Sequence, residues 1–157
     1  MSRAVPAAEE QSITLVRVID APVAEVFAAW TNPMIVRRWM VPMLCRALEV
    51  EADPRPGGTF RMVLKGPLGG RHVITGEYRE VVPNRRLVQT WVLEGYGKTL
   101  DRYPTVLTVD FRELGQRTTE VTIRQEQLRT KQDRSGNLMG WKLCLRKLEK
   151  LLRVQLR

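Results

Sequence analysis

The chain has 157 residues with 43% hydrophobic content, the size of one domain able to bury a sizeable core. A net charge of +9 invites a polyanionic partner, yet the Lys and Arg residues are scattered, with local pairs at Arg37-Arg38 and Arg85-Arg86, and carry no zinc-finger, RNP or recognition-helix pattern, so a solvated basic surface is favoured over specific nucleic-acid binding. No run approaches the roughly 18 apolar residues of a membrane span, and Cys45 and Cys144 allow one bridge at most and have no zinc spacing, which excludes a disulfide scaffold and places the chain in a reducing cytoplasm.

Residues 1–11 have no apolar h-region and read as a flexible tail ahead of one domain over 12–157. From Ser12 to Asp20, Ile13, Leu15 and Arg17 alternate with Thr14, Val16 and Val18, the pattern of a first strand. Asp20-Ala21-Pro22 supplies a helix N-cap candidate with proline at the start. Val23, Val26, Phe27 and Trp30 then fall at helical spacing until Asn32-Pro33. A second short helix runs from Met34 to Trp39, with Pro42 as its stop.

The period then changes to two. Strands are expected over Arg46 to Glu51, Thr59 to Lys65, Arg71 to Val82, Arg86 to Glu94, Pro104 to Glu113 and Thr118 to Gln127. Between them lie Gly66-Pro67-Leu68-Gly69-Gly70, Pro83-Asn84, Gly95-Tyr96-Gly97 and Leu114-Gly115-Gln116, all with turn chemistry. The segment Asp53-Pro54-Arg55-Pro56-Gly57-Gly58 joins two rigid prolines to two permissive glycines, and reads as a structured lead-in to a strand, with a bulge. In the strand around Thr105 to Arg112, Leu107, Val109 and Phe111 share one face. Thr108, Asp110 and Arg112 share the other, which is wet, so the sheet is antiparallel and curved around something.

From about Asp133 the period is helical again. Leu138, Trp141, Leu145, Leu148 and Leu152 form an apolar stripe that Cys144 and Leu151 widen, with Lys142, Arg146, Glu149 and Arg153 opposite. Met139, Leu143 and Val154 lie off the stripe, as scattered surface apolars or, alternatively, as a homodimer contact.

Strand, two short helices, six strands and a long helix make an α+β helix-grip arrangement, in which a curved antiparallel sheet wraps the C-terminal helix and leaves a cavity. The motifs that make the likeness specific are Asp20-Ala21-Pro22 with Val26 to Pro33, Trp39, Asp53 to Gly58, Gly76 to Pro83, Arg86-Leu87, Thr105 to Phe111, Thr118-Thr119 and Gly140-Trp141. Over roughly Ser12 to Leu152 the chain resembles bacterial SRPBCC (START/Bet v 1-like) proteins similar to the C-terminal domain of activators of the ninety-kilodalton heat-shock-protein ATPase. These are motifs of folding and packing. Where members often carry a second aromatic after the tryptophan at position 39, this chain has Met40 and Val41, which implies a more pliable, less aromatic pocket mouth.

Chemistry-bearing residues are sparse. His72 is the single histidine, so neither a metal centre nor a cofactor is expected. A Ser-His-Asp device has no nucleophile elbow around Ser12 or Ser135. Cys144 falls on the apolar stripe and reads as core. Gly57-Gly58 lacks the Lys-Ser/Thr of a phosphate loop. Among the carboxylates Glu77, Glu80, Asp110, Glu120 and Glu126, Glu80 shares strand parity with Tyr78 and is the better inward candidate. None is assigned a catalytic role.

The expected ligand-binding set is therefore apolar and aromatic with a few polar members: Trp30, Trp39, Phe60, Met62, His72, Tyr78, Trp91, Gln125 and Trp141. His72 reads first as an ordinary strand residue, the alternative being a polar anchor by its parity with Ile74, Gly76 and Tyr78. The leading expectation is a protein that binds a small hydrophobic molecule between sheet and C-terminal helix. Two alternatives stand beside it. One is a cyclase- or hydrolase-like enzyme using Tyr78, Glu80 or His72; the other, implied by the resemblance, is a stress protein with a chaperone-ATPase partner.

Overall fold

The computed structural model describes residues 11–41, 44–95 and 102–155. Strand β1 (Ile13–Ile19) is followed by helices α1 (Val23–Thr31) and α2 (Pro33–Trp39). Strands β2 (Arg46–Ala52), β3 (Thr59–Lys65), β4 (Arg71–Val82), β5 (Arg86–Glu94), β6 (Thr105–Gly115) and β7 (Thr118–Glu126) come next, and helix α3 (Lys131–Gln155) ends the described chain. The expected α+β helix-grip order is thus the observed one, with element ends moved by a residue or two. Pro42, Tyr96 and Gly97 and the side chain of Val154 lie outside the described residues.

All seven strands form one sheet in the order β1-β7-β6-β5-β4-β3-β2, with every neighbouring pair antiparallel. Register shifts at Ala47/Glu49, Tyr78/Glu80 and Glu113/Gly115 insert bulges, which bend the strands and deepen the twist. The bulge expected at Gly57-Gly58 is present on the β4 side: Gly57, at φ +85°, donates its N–H to Tyr78 O while Gly58 O accepts from Tyr78 N, so two glycines oppose one residue as they lead the chain into β3.

The two short helices start differently. Asp20 does not cap α1. Its N-cap position is Pro22, without a side-chain bond, and Glu25 N donates to Pro22 O at 3.0 Å. Helix α2 begins as its sequence indicates, with Asn32 Oδ1 accepting from Met34 N at 3.0 Å and Pro33 at the first turn. Trp39 is then tied back to α1, its Nε1 donating to Ala29 O at 2.8 Å.

Period-two burial runs through the sheet. Ile13, Leu15 and Ile19 of β1, Leu87 and Trp91 of β5, Leu107, Val109 and Phe111 of β6, and Val121 and Ile123 of β7 are buried on the inner face, and Trp141, Cys144, Leu145, Leu148 and Leu152 of α3 face them. Each such side chain contributes about 1.5–3 kcal/mol on leaving water. Met139 stays exposed and Leu143 half-buried. The backbone of α3 runs closest to β1, α1 and α2, and the other strands, β3–β5 among them, stand further from it. The inner face of β4, β5 and β7 is where the unusual residues lie.

Candidate inner-face binding site

Alternation and register assemble the site. In β4 and β5, Tyr78 stands directly opposite Gln89; Gln89 stands opposite Leu107 of β6, which stands opposite Gln125 of β7. One cross-strand row therefore carries Tyr78, Gln89 and Gln125 on the inner face, and all three are buried. The neighbouring row carries Trp91 opposite Thr105. From β3, Phe60 stacks on Trp91 at 5.5 Å between ring centroids, and Trp91 meets Trp141 of α3 at 5.4 Å. Phe60, Trp91 and Trp141 thus link β3, β5 and α3.

A directed hydrogen-bond chain runs beside them. Trp141 Nε1 can only donate, and it donates to Gln125 Oε1 at 3.0 Å; Gln125 Nε2 donates to Thr105 Oγ1 at 3.0 Å; Thr105 Oγ1 donates to Trp91 O at 2.7 Å. The indole thereby fixes the amide orientation, and the amide fixes the hydroxyl. Each buried polar atom named in this chain is satisfied.

Others are not. Tyr78 Oη and Gln89 Nε2 are buried without a hydrogen-bond partner, as is Trp30 Nε1. Burial lifts the Tyr78 phenol well above its ordinary range, and the negative charge of Asp53 adds to the rise, so the hydroxyl is protonated and available as a donor at neutral pH. Tyr78 is also held through its backbone by the 53–58 turn, where Gly57 N donates to Tyr78 O at 2.7 Å and Tyr78 N to Gly58 O at 2.8 Å.

The remaining candidates lie elsewhere on the grip. Trp30 packs on Trp39 at 4.5 Å and on Phe111 at 5.6 Å, a separate aromatic cluster where α1 and α2 meet the sheet. Met62 is buried opposite Ile74. His72 is half-buried opposite Leu64, its ring against the Gly66–Gly70 turn. At the rise of a strand it stands roughly 20 Å along β4 from Tyr78. Glu80 does not share the face of Tyr78: the bulge between them shifts the alternation, so Val81 comes to lie opposite Leu87 and Glu80 is exposed. Tyr78, Glu80 and His72 are therefore not gathered into one acid-base group.

Gln89 and Thr105 escaped the sequence reading. Gln89 has the parity of Leu87 and Trp91, and Thr105 that of Leu107, so each is a polar residue at an inward position of an apolar strand. That signal was available.

An open groove of about 690 Å³ lies at the other end of the strands, between Asn84 of the β4–β5 turn and Asp110 and Arg112 of β6. Two of its charges are engaged outside it: Asp110 pairs with Arg86 at 3.3 Å, and Arg112 donates twice to Glu120, at 3.2 and 3.1 Å, while Arg85 and Glu113 also line it. Among the described residues no group of three or more His, Cys, Asp or Glu is placed to hold a metal ion, and no helix is long and apolar enough to cross a membrane.

A curved antiparallel sheet closed on a long C-terminal helix, with two short helices after the first strand, defines an SRPBCC helix-grip protein. Within that superfamily the chain belongs to the family described as activator of Hsp90 ATPase homolog 1-like protein, whose family model matches residues 20–153. Solved structures with the same fold include a protein from Chromobacterium violaceum, 26% identical, with a TM-score of 0.80 over 91% of this chain and 97% of that one. A protein from Rhizobium leguminosarum is 28% identical, with a TM-score of 0.73 over 90% of this chain and 93% of its own. A protein from Micromonospora echinospora is 26% identical, with a TM-score of 0.67 over 90% of this chain and 75% of its own. No curated protein matches the chain.

Proposed function

We propose that the protein binds a small, largely apolar molecule between the inner face of β3–β5 and helix α3. The observation that carries this reading is the aromatic span Phe60–Trp91–Trp141, which links β3 and β5 to α3 across the inner face. Large flat side chains with a few placed polar groups are the usual lining of a small-molecule site. Met62, Tyr78 and Gln125 complete the proposed lining.

The enzyme reading lacks its group, since Glu80 is exposed and His72 is half-buried far along β4 from Tyr78. The test is native mass spectrometry of the purified protein, together with displacement of an apolar fluorescent dye followed through the emission of Trp91 and Trp141. Retention of a small molecule, or saturable dye uptake that Trp91→Ala weakens, is expected. A protein that carries nothing and takes up no dye overturns the reading.

A further inference from the structure

Burying a hydrogen-bond donor without a partner costs about 1–3 kcal/mol, and native proteins rarely leave such groups. Here two stand side by side. Tyr78 is 0% and Gln89 3% exposed, they are direct cross-strand partners on the inner face, and Tyr78 Oη and Gln89 Nε2 both lack a partner. Trp30 Nε1 belongs to the cluster with Trp39 and Phe111 and is a separate matter.

The polar chain next to them sharpens the contrast. Gln125, in the same row, uses its amide oxygen and nitrogen on Trp141 and Thr105. Gln89 has no such arrangement for its nitrogen, which lies over Gly76: a Cβ placed on Gly76 would stand 3.5 Å from Nε2. The surroundings also select charge. Among the described residues Asp133, at the start of α3, is the single buried ionisable side chain of the Asp, Glu, Lys or Arg type, so no buried cation stands beside Tyr78 and Gln89 to hold an anionic head. Asp53 already acts on the Tyr78 phenol as a negative charge and would repel one.

Resting on the apolar-ligand reading above, we propose that the bound molecule carries a neutral hydrogen-bond acceptor, a carbonyl of the ketone, ester or amide kind, that accepts from Tyr78 Oη and Gln89 Nε2 together. The ligand body lies against Phe60, Trp91 and Trp141, and the carbonyl fixes its orientation along the Tyr78–Gln89 row. A hydrocarbon of the same shape leaves both donors unsatisfied and binds more weakly.

Benzophenone and diphenylmethane, alike in shape and differing by one carbonyl oxygen, make the test. Their affinities are measured by tryptophan quenching and calorimetry on the intact protein, on Tyr78→Phe and on Gln89→Leu, with circular dichroism melts to confirm folding. Benzophenone is expected to bind roughly tenfold more tightly than diphenylmethane to the unsubstituted protein. Each substitution should shrink that ratio by weakening benzophenone more than diphenylmethane. A second readout is independent of the variants: the side-chain amide resonances of Gln89 should move with benzophenone and stay with diphenylmethane. Equal affinities, a ratio that survives either substitution, or an unmoved Gln89 amide overturns the donor pair while leaving an apolar site intact. Binding of neither compound, with no apolar dye taken up, overturns both readings.

Discussion

Gly57 and Tyr78 are joined backbone to backbone: Gly57 N donates to Tyr78 O at 2.7 Å, and the next residue, Gly58, accepts from Tyr78 N at 2.8 Å. The turn that looks from sequence like a local device is thus what seats the inward phenol. Its own groups are accounted for, with Asp53 N on Thr59 O, Arg55 N on Asp53 O and Gly58 N on Arg55 O, all at 2.8–2.9 Å. Gly57 has φ +85°, and a Cβ on Gly58 would collide with the Asp53 carbonyl oxygen. Gly58→Ala is therefore expected to destabilise by about 1–3 kcal/mol, because the obstacle is backbone and cannot swing aside. It should also weaken dye uptake by displacing Tyr78. Urea melts and dye titration check this, and a Gly58→Ala protein with unchanged midpoint and uptake would disconnect the turn from the site.

Two further glycines separate close approach from mere presence. A Cβ on Gly76 would collide with the Thr90 carbonyl oxygen across the β4–β5 pair, whereas one on Gly140, within α3, meets nothing within 4 Å. Gly76→Ala should cost about 1–3 kcal/mol. Gly140→Ala should stabilise by about 0.5–1 kcal/mol, through helix propensity alone. Denaturant midpoints measured on both decide it, and a loss at Gly140 as large as that at Gly76 would mean that α3 is held more tightly there than its surroundings indicate.

The chain from Trp141 through Gln125 to Thr105 makes a coupling prediction. Trp141→Phe leaves Gln125 Oε1 buried without its donor, and Thr105→Val leaves Gln125 Nε2 without its acceptor; each should cost about 1–3 kcal/mol. Because both act on one amide, the double variant should cost less than the sum of the two. A double-mutant cycle by chemical denaturation reads this directly. Strict additivity would show that the three side chains do not behave as one network.

Much of this architecture was legible in the chain, for identifiable reasons. Strand parity in β6 and the three-four spacing of α3 follow from burial, and burial is written in side-chain type: Leu107, Val109 and Phe111 are all buried, as are Leu145, Leu148 and Leu152. The resemblance carried by Asp53 to Gly58 and Gly76 to Pro83 pointed to the right family because those glycines sit where a Cβ would strike backbone, at Gly58 and Gly76. What parity could not foresee was a bulge. One extra residue between Tyr78 and Glu80 puts the carboxylate outside. Gln89 was overlooked because a polar residue in an apolar alternation is easily taken for a strand's wet face, although its neighbours two positions away, Leu87 and Trp91, are both buried.

The alkaline limb of stability should be set first by Cys144. Burial pushes its thiol from about 9 up to about 11, with Lys147 opposing the rise and Cys45 adding to it. A thiol whose folded pKa lies above its unfolded value keeps its proton longer in the native state. The native state therefore binds more protons than the unfolded state between those two values, and stability, intact below pH 9, falls as pH climbs toward 11. The slope is limited to about 1.4 kcal/mol per pH unit for one group, so the loss across the window is on the order of 2–3 kcal/mol. Tyr78, raised in the same sense by burial, extends the decline above pH 10. Urea unfolding from pH 8 to 11 should thus fall more steeply for the unsubstituted protein than for Cys144→Ala, whose curve is lower at pH 8 through lost packing but flatter between 9 and 11. Parallel curves would mean that the thiol ionises as easily in the folded protein as in the unfolded chain, and that the packing of α3 against the sheet does not exclude water from Cys144.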